Sequence, residues 1–177
     1  MELFLARIFD GLAAGGGYAA LAMALVLIYK STGLINFAPG EMARLGAYSA
    51  DVSTVEQGFP VVVGVIAAMA IMALIAAGIE RTLIRPFPPE THLPLVIVTL
   101  GLFLVINAGI TVIWGTDPRS FPSMFPDGDL FTVGIASLSW STVGTLVTVV
   151  AAYLVIELLL RGTKIGLAFR AVSSNVE

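Results

Sequence analysis

Between Pro60 and Ile79 the chain runs for twenty residues without a charged side chain, and between Leu93 and Gly115 it does so again. An uncharged apolar run of about 20 residues, wound as a helix, matches the roughly 30 Å of hydrocarbon in a bilayer. Only a helix or a closed barrel satisfies its backbone polar groups there. Three further runs extend the pattern: Leu12–Tyr29, a short interrupted one over Glu41–Val55, and Ser137–Leu160. Of the 177 residues, 58% are hydrophobic and 12% charged, against the roughly 25% charged of soluble domains. These features predict an all-α polytopic transmembrane bundle with about five hydrophobic segments, one of them short and broken.

Charge placement orients the spans, because Lys and Arg concentrate on the cytoplasmic side. Arg81 and Arg85 follow the third run, and Arg161, Lys164 and Arg170 follow the fifth. The proline-rich stretch Thr116–Asp129 carries Arg119 against three aspartates and is placed outside, as is the acidic segment Asp51–Gly58. Lys30 then puts the end of the first run inside and the N-terminus outside. The chain has no cysteine and a single histidine, His92. It therefore offers no disulfide and no thiolate or multi-histidine metal site. A Walker-type phosphate loop, GxSxG and HExxH are absent, so no enzyme and no bound cofactor are expected. No basic run argues for nucleic acid.

Several segments carry more than hydrophobicity. Gly11, Gly15 and Ala19 form a small-residue stripe of the kind that lets helices approach closely in lipid, within one chain or across a dimer. Gly33, Pro39 and Gly40 interrupt the chain between the first two runs, around Asn36 and Phe37. Such a break marks either a transport pathway, where exposed backbone lines a cavity, or an ordinary turn capped by Asn36. Glu41 and Arg44 lie three apart and share a helix face. They either point into a protein-lined cavity or sit at the interface. Asn107, the strongly polar member of the fourth run, is a candidate for interhelical hydrogen bonding or for substrate contact. Ile165, Ala168, Phe169 and Val172 recur at helical spacing among Lys164 and Arg170, an amphipathic helix for the membrane surface or a protein groove.

The stretch from Gly16 to Tyr48, with its Ile35-Asn36-Phe37-Ala38-Pro39-Gly40-Glu41 core and Leu45-Gly46-Ala47-Tyr48, resembles permease subunits of branched-chain amino acid ABC importers. Ile79-Glu80-Arg81, Thr99-Leu100-Gly101-Leu102 with Asn107, and the segment from Thr163 to Glu177 match as well. The resemblance implies one transmembrane permease domain over residues 1–177 and a coupling helix over 163–177. Its ATPase-coupling residues would be Gly166, Ala168, Arg170, Ala171, Asn175 and Glu177, and its pathway residues Asn36, Phe37, Gly40 and Glu41. It further implies a bacterial inner-membrane location, a second permease subunit, two cytoplasmic ATPases that bind the ATP, and a periplasmic substrate-binding protein. Where the family usually has a histidine before the glycine, this chain has Pro39, so no role of that histidine carries over. Family members are longer, so further spans are expected, and the chain is read as a truncated product, a fragment or half of a split permease. Urea or short-chain amide import, a non-transporting scaffold and an oligomeric channel are the other readings.

Overall fold

A computed structural model describes residues 2–33, 35–88, 92–117, 119–126, 128–133, 136–164 and 166–167. Its elements are α1 (Glu2–Thr32), α2 (Pro39–Asp51), α3 (Val61–Ile79), α4 (His92–Trp114), β1 (Asp129–Val133), β2 (Ala136–Ser139) and α5 (Trp140–Gly162). Among the described residues four stretches are long and apolar enough to cross a membrane: Leu3–Lys30, Val61–Ile84, Leu93–Trp114 and Trp140–Gly162. In each, at most 11% of the most apolar stretch is buried within the protein. Val112 is 85% exposed and Leu74 75%. In water that much bare apolar surface would drive aggregation, whereas lipid solvates it. The chain is a multi-pass membrane protein.

The chain packs as two units, Leu34–Pro122 and Met1–Gly33 with Ser123–Glu177. In the first, α2 lies against α3 and α4. Gly46 faces Met72, and Gly64 faces Thr54 and the Ala50 carbonyl, so α2 and α3 are antiparallel. Glu41 meets Asn107 and Tyr48 meets Trp114, so α2 and α4 are parallel. The small residues of α2 pack on α3, because lipid provides no hydrophobic drive and close backbone approach must supply the dispersion energy. A Cβ at Gly64 would overlap the Thr54 hydroxyl. We predict that Gly64→Leu lowers unfolding stability in detergent by about 1–3 kcal/mol, the usual cost of overpacking a tight contact. A thermal midpoint equal to wild type refutes this.

Two helices end in a widened turn. Val52–Glu56 extends α2 and Glu80–Ile84 extends α3 as π-helix. Ser49 and Ser53 donate their hydroxyls to the carbonyls four residues back, Leu45 and Ser49, at 2.8 Å. Thr82 does the same to Gly78 at 2.7 Å. A hydroxyl competing for the i−4 carbonyl loosens the ladder, and both helices respond by shifting to i→i−5 bonds, Gln57 N to Val52 O and Arg85 N to Glu80 O. With its π-turn, α2 spans 39–56, about 27 Å at 1.5 Å per residue. It is nearly a full crossing, carried by a helix with charges inside it.

In the second unit α1 and α5 are parallel, and a Cβ built on Gly16 would lie 3.4 and 3.5 Å from the Leu146 and Thr145 side chains. The glycine stripe expected to make such a contact does not: among the described residues nothing lies within 4 Å of a Cβ built on Gly11 or Gly15, and Ala19 is exposed. Gly16 is one residue on, about 100° around the helix from Gly15, and that rotation selects the buried face. The antiparallel pair β1–β2 was not expected from the sequence. It follows the prolines of the outer stretch, where Leu130, Phe131, Thr132 and Val133 are good strand formers. Ser139 then caps α5, accepting from Thr142 N at 3.2 Å.

Candidate functional site: a polar stripe on the broken helix

Gly33, with φ of +67°, ends α1 in a left-handed residue that glycine adopts without a Cβ penalty. Pro39 starts α2 at a first-turn position where its missing N–H costs nothing. Asn36 Oδ1 accepts from Ala38 N at 2.9 Å, an Asx turn that leads the chain into the helix. The side-chain oxygen of Asn36 is thus engaged locally, in the turn before α2.

From this start, Glu41, Arg44, Tyr48 and Asp51 follow at spacings of three, four and three, one face of α2. Asn107 Nδ2 of α4 donates to Glu41 Oε1 at 3.0 Å. Arg44 Nη1 lies 3.5 Å from Glu41 Oε2, a buried oxygen without a hydrogen bond among the described residues. The Glu41 side chain is 13% exposed. A buried carboxylate with half its acceptor capacity unspent costs free energy, which singles this position out as one where a further donor would be welcome.

Above this pair, Tyr48 stacks on Trp114 of α4 with ring centroids 5.2 Å apart. The Arg44 guanidinium lies 5.7 Å from the Tyr48 ring centre and that of Arg119 6.0 Å. Arg119 comes from the stretch after α4 and donates through Nη1 to Asp51 at 3.0 Å and Glu56 at 3.4 Å. Asp51 is only 6% exposed, so this charge is held out of solvent by its partner. The hydrogen bond to Asp51, opposed by desolvation and reinforced by Glu56, raises the pKa of Arg119 above its ordinary value, so this cation does not titrate. Arg44, Ala47, Tyr48, Asp51, Arg119 and Phe121 line an open pocket of about 250 Å³.

The structure thus brings together Glu41 and Asn107 of the sequence candidates. Phe37 and Gly40 are exposed, and no neighbour lies within 4 Å of a Cβ on Gly40. Gly166 is buried where a Cβ would overlap the Leu160 backbone, and its N–H meets Thr163 Oγ1 at 3.2 Å. Ala168, Arg170, Ala171, Asn175 and Glu177 lie outside the described residues. Tyr48 and Asp51 were legible as continuations of the Glu41–Arg44 face. Arg119, 68 residues from Asp51, carried no local signal. We predict that Arg119→Glu, which sets a third carboxylate beside Asp51 and Glu56, frees the stretch 115–122 and speeds its limited proteolysis several-fold. Unchanged cleavage shows that the bridge does not hold it.

An α-helical membrane protein with a charged helix packed among apolar spans is an architecture that transport proteins use. The chain belongs to the family described as branched-chain amino acid transport system / permease component, whose model matches residues 7–177. It is 26% identical over 187 aligned positions to the high-affinity branched-chain amino acid transport system permease protein LivH of Escherichia coli K12, and to LivH of Salmonella typhimurium at the same level. The corresponding permease BraD of Pseudomonas aeruginosa is 24% identical. These alignments cover 98% of this chain and 60% of each relative, so the chain spans about three-fifths of their length. No solved structure matches it.

Proposed function

We propose that the chain is a permease component of an ATP-driven importer that carries branched-chain amino acids across the inner membrane by alternating access. The observation that carries this reading is the stripe Glu41–Arg44–Tyr48–Asp51 set against Asn107 and Trp114 inside an otherwise apolar chain. Ionisable groups at membrane depth are costly and are retained where a polar solute passes. Alternating carboxylate and guanidinium groups suit a zwitterion, whose ammonium and carboxylate need an acceptor and a donor in turn. The names of the relatives support branched-chain amino acids over urea or amides.

In this reading Asn36, Phe37, Gly40, Glu41 and Asn107 border the pathway. The Arg119 bridge to Asp51 and Glu56 closes its outer end. The cytoplasmic segment 163–177 acts as coupling helix: Gly166 seats its start on α5, and Ala168, Arg170, Ala171, Asn175 and Glu177 meet a partner ATPase. A second permease subunit, two ATPases binding the ATP and a periplasmic binding protein complete the assembly.

The test is uptake of radiolabelled leucine and urea in cells lacking their own importers. They produce this chain with the remaining permease segment and these partners. ATP-dependent leucine uptake that requires the chain is the expected result. Uptake of urea alone moves the substrate class, and flux that persists without the ATPases replaces an importer by a channel.

A further inference from the structure

The groove between α1 and α5 takes no part in the proposed pathway, yet its chemistry is specific. Its floor is apolar, with Met23, Val26, Ile156 and Leu160, and its volume is about 490 Å³. It opens along the ends of two parallel helices at which Lys30 and Arg161 stand, with Glu157 four residues and Tyr153 eight residues before Arg161. Arg161 Nη2 lies 2.6 Å from Glu157 Oε1, which fixes the guanidinium while leaving others of its five N–H groups unspent. Lys30 has no ion pair among the described residues. The rim therefore carries two cations and one carboxylate, a net positive charge at the headgroup level of the cytoplasmic leaflet.

Depth decides the ligand. From Lys30 back to Ala22, the inner end of the groove, is eight residues, about 12 Å along the helix. One leaflet of hydrocarbon is about 15 Å. An apolar trough of nearly one leaflet's depth, crowned by two cations, fits one amphiphile whose anionic head sits at the rim and whose acyl chain lies along the floor. A packing helix would need no cationic rim, and a soluble anion would need no trough. We propose that this groove is a binding site for an anionic phospholipid, its phosphate held by Lys30 and Arg161 and one acyl chain lying over Val26 and Ile156. Basic pockets between membrane helices on the cytoplasmic side recognise anionic headgroups by this combination. The lipid would brace α1 against α5 just before the chain enters the segment 163–177.

The experiment is native mass spectrometry of the full chain in detergent, titrated with phosphatidylglycerol or phosphatidylcholine. One phosphatidylglycerol is expected to be retained in preference to phosphatidylcholine. Lys30→Gln is expected to weaken it about fivefold and Lys30→Gln with Arg161→Gln about 25-fold, each cation near the surface contributing about one such factor. Arg81→Gln with Arg85→Gln removes the same charge elsewhere and leaves retention unchanged. Val26→Trp fills the trough and removes both lipids without touching charge. Equal retention of the two lipids overturns the proposal. So does an equal loss from the Arg81 and Arg85 control, or full retention in the Val26→Trp variant.

Discussion

Glu41→Leu is expected to lower leucine uptake at least about thirtyfold while costing the fold little. Glu41 is the meeting point of two contacts, the 3.0 Å bond from Asn107 on α4 and the 3.5 Å pair with Arg44. Losing a hydrogen bond to a charged group costs about 1.5–3 kcal/mol, and about 2 kcal/mol is about thirtyfold in rate; the Arg44 pair, with no hydrogen bond and Arg44 35% exposed, adds little. Stability responds differently. Leucine fills the space in an apolar surround, and the lost interhelical hydrogen bond is worth on average about 0.6 kcal/mol in a membrane protein. Glu41→Gln separates the contributions, since its amide oxygen still accepts from Asn107 while the charge is gone. Leu and Gln variants equally impaired in uptake, with melting near wild type, make the charge the functional quantity. A Gln variant with full uptake makes the hydrogen bond that quantity. If uptake falls only in step with the melting temperature, Glu41 is structural and the pathway reading fails.

Arg170→Glu is expected to abolish capture of the ATPase from detergent-solubilised membranes. Arg170 matches the basic position of the family's coupling segment, and an arginine anchoring an interface typically contributes about 2 kcal/mol or more, at least about thirtyfold in affinity. Charge reversal adds repulsion to that loss. The pull-down uses the chain alone and joined to the remaining permease segment. Retention by wild type and loss by the variant supports the coupling role. Retention only by the joined form makes the further spans part of the docking surface. Capture that is indifferent to Arg170→Glu removes this residue from the interface.

Much of the architecture was legible because in a membrane chain the solvent enforces it. Runs of uncharged residues at Pro60–Ile79 and Leu93–Gly115 had to be helices of bilayer length, and α3 and α4 occupy them. The Gly33 to Gly40 break was equally legible, since left-handed glycine and first-turn proline end and start helices by local sterics. Glu41 and Arg44 paired as their spacing required. The β1–β2 pair was missed because its strands are short and its stability depends on neighbours.

The glycine stripe shows where local reading stops. Gly11 and Gly15 have the spacing of a packing face, but Gly16 makes the contact, because the buried side of an all-apolar helix is set by its neighbour and not by its own pattern. The site follows the same division. Residue types, helix spacing and the break were determined by the sequence alone, through backbone sterics and the transfer cost of charge into lipid. Which partner neutralises each charge was decided only in three dimensions. Asn107 reaches Glu41 from 66 residues away and Arg119 reaches Asp51 from 68, and a carboxylate shielded from water is tolerable only once such a partner arrives.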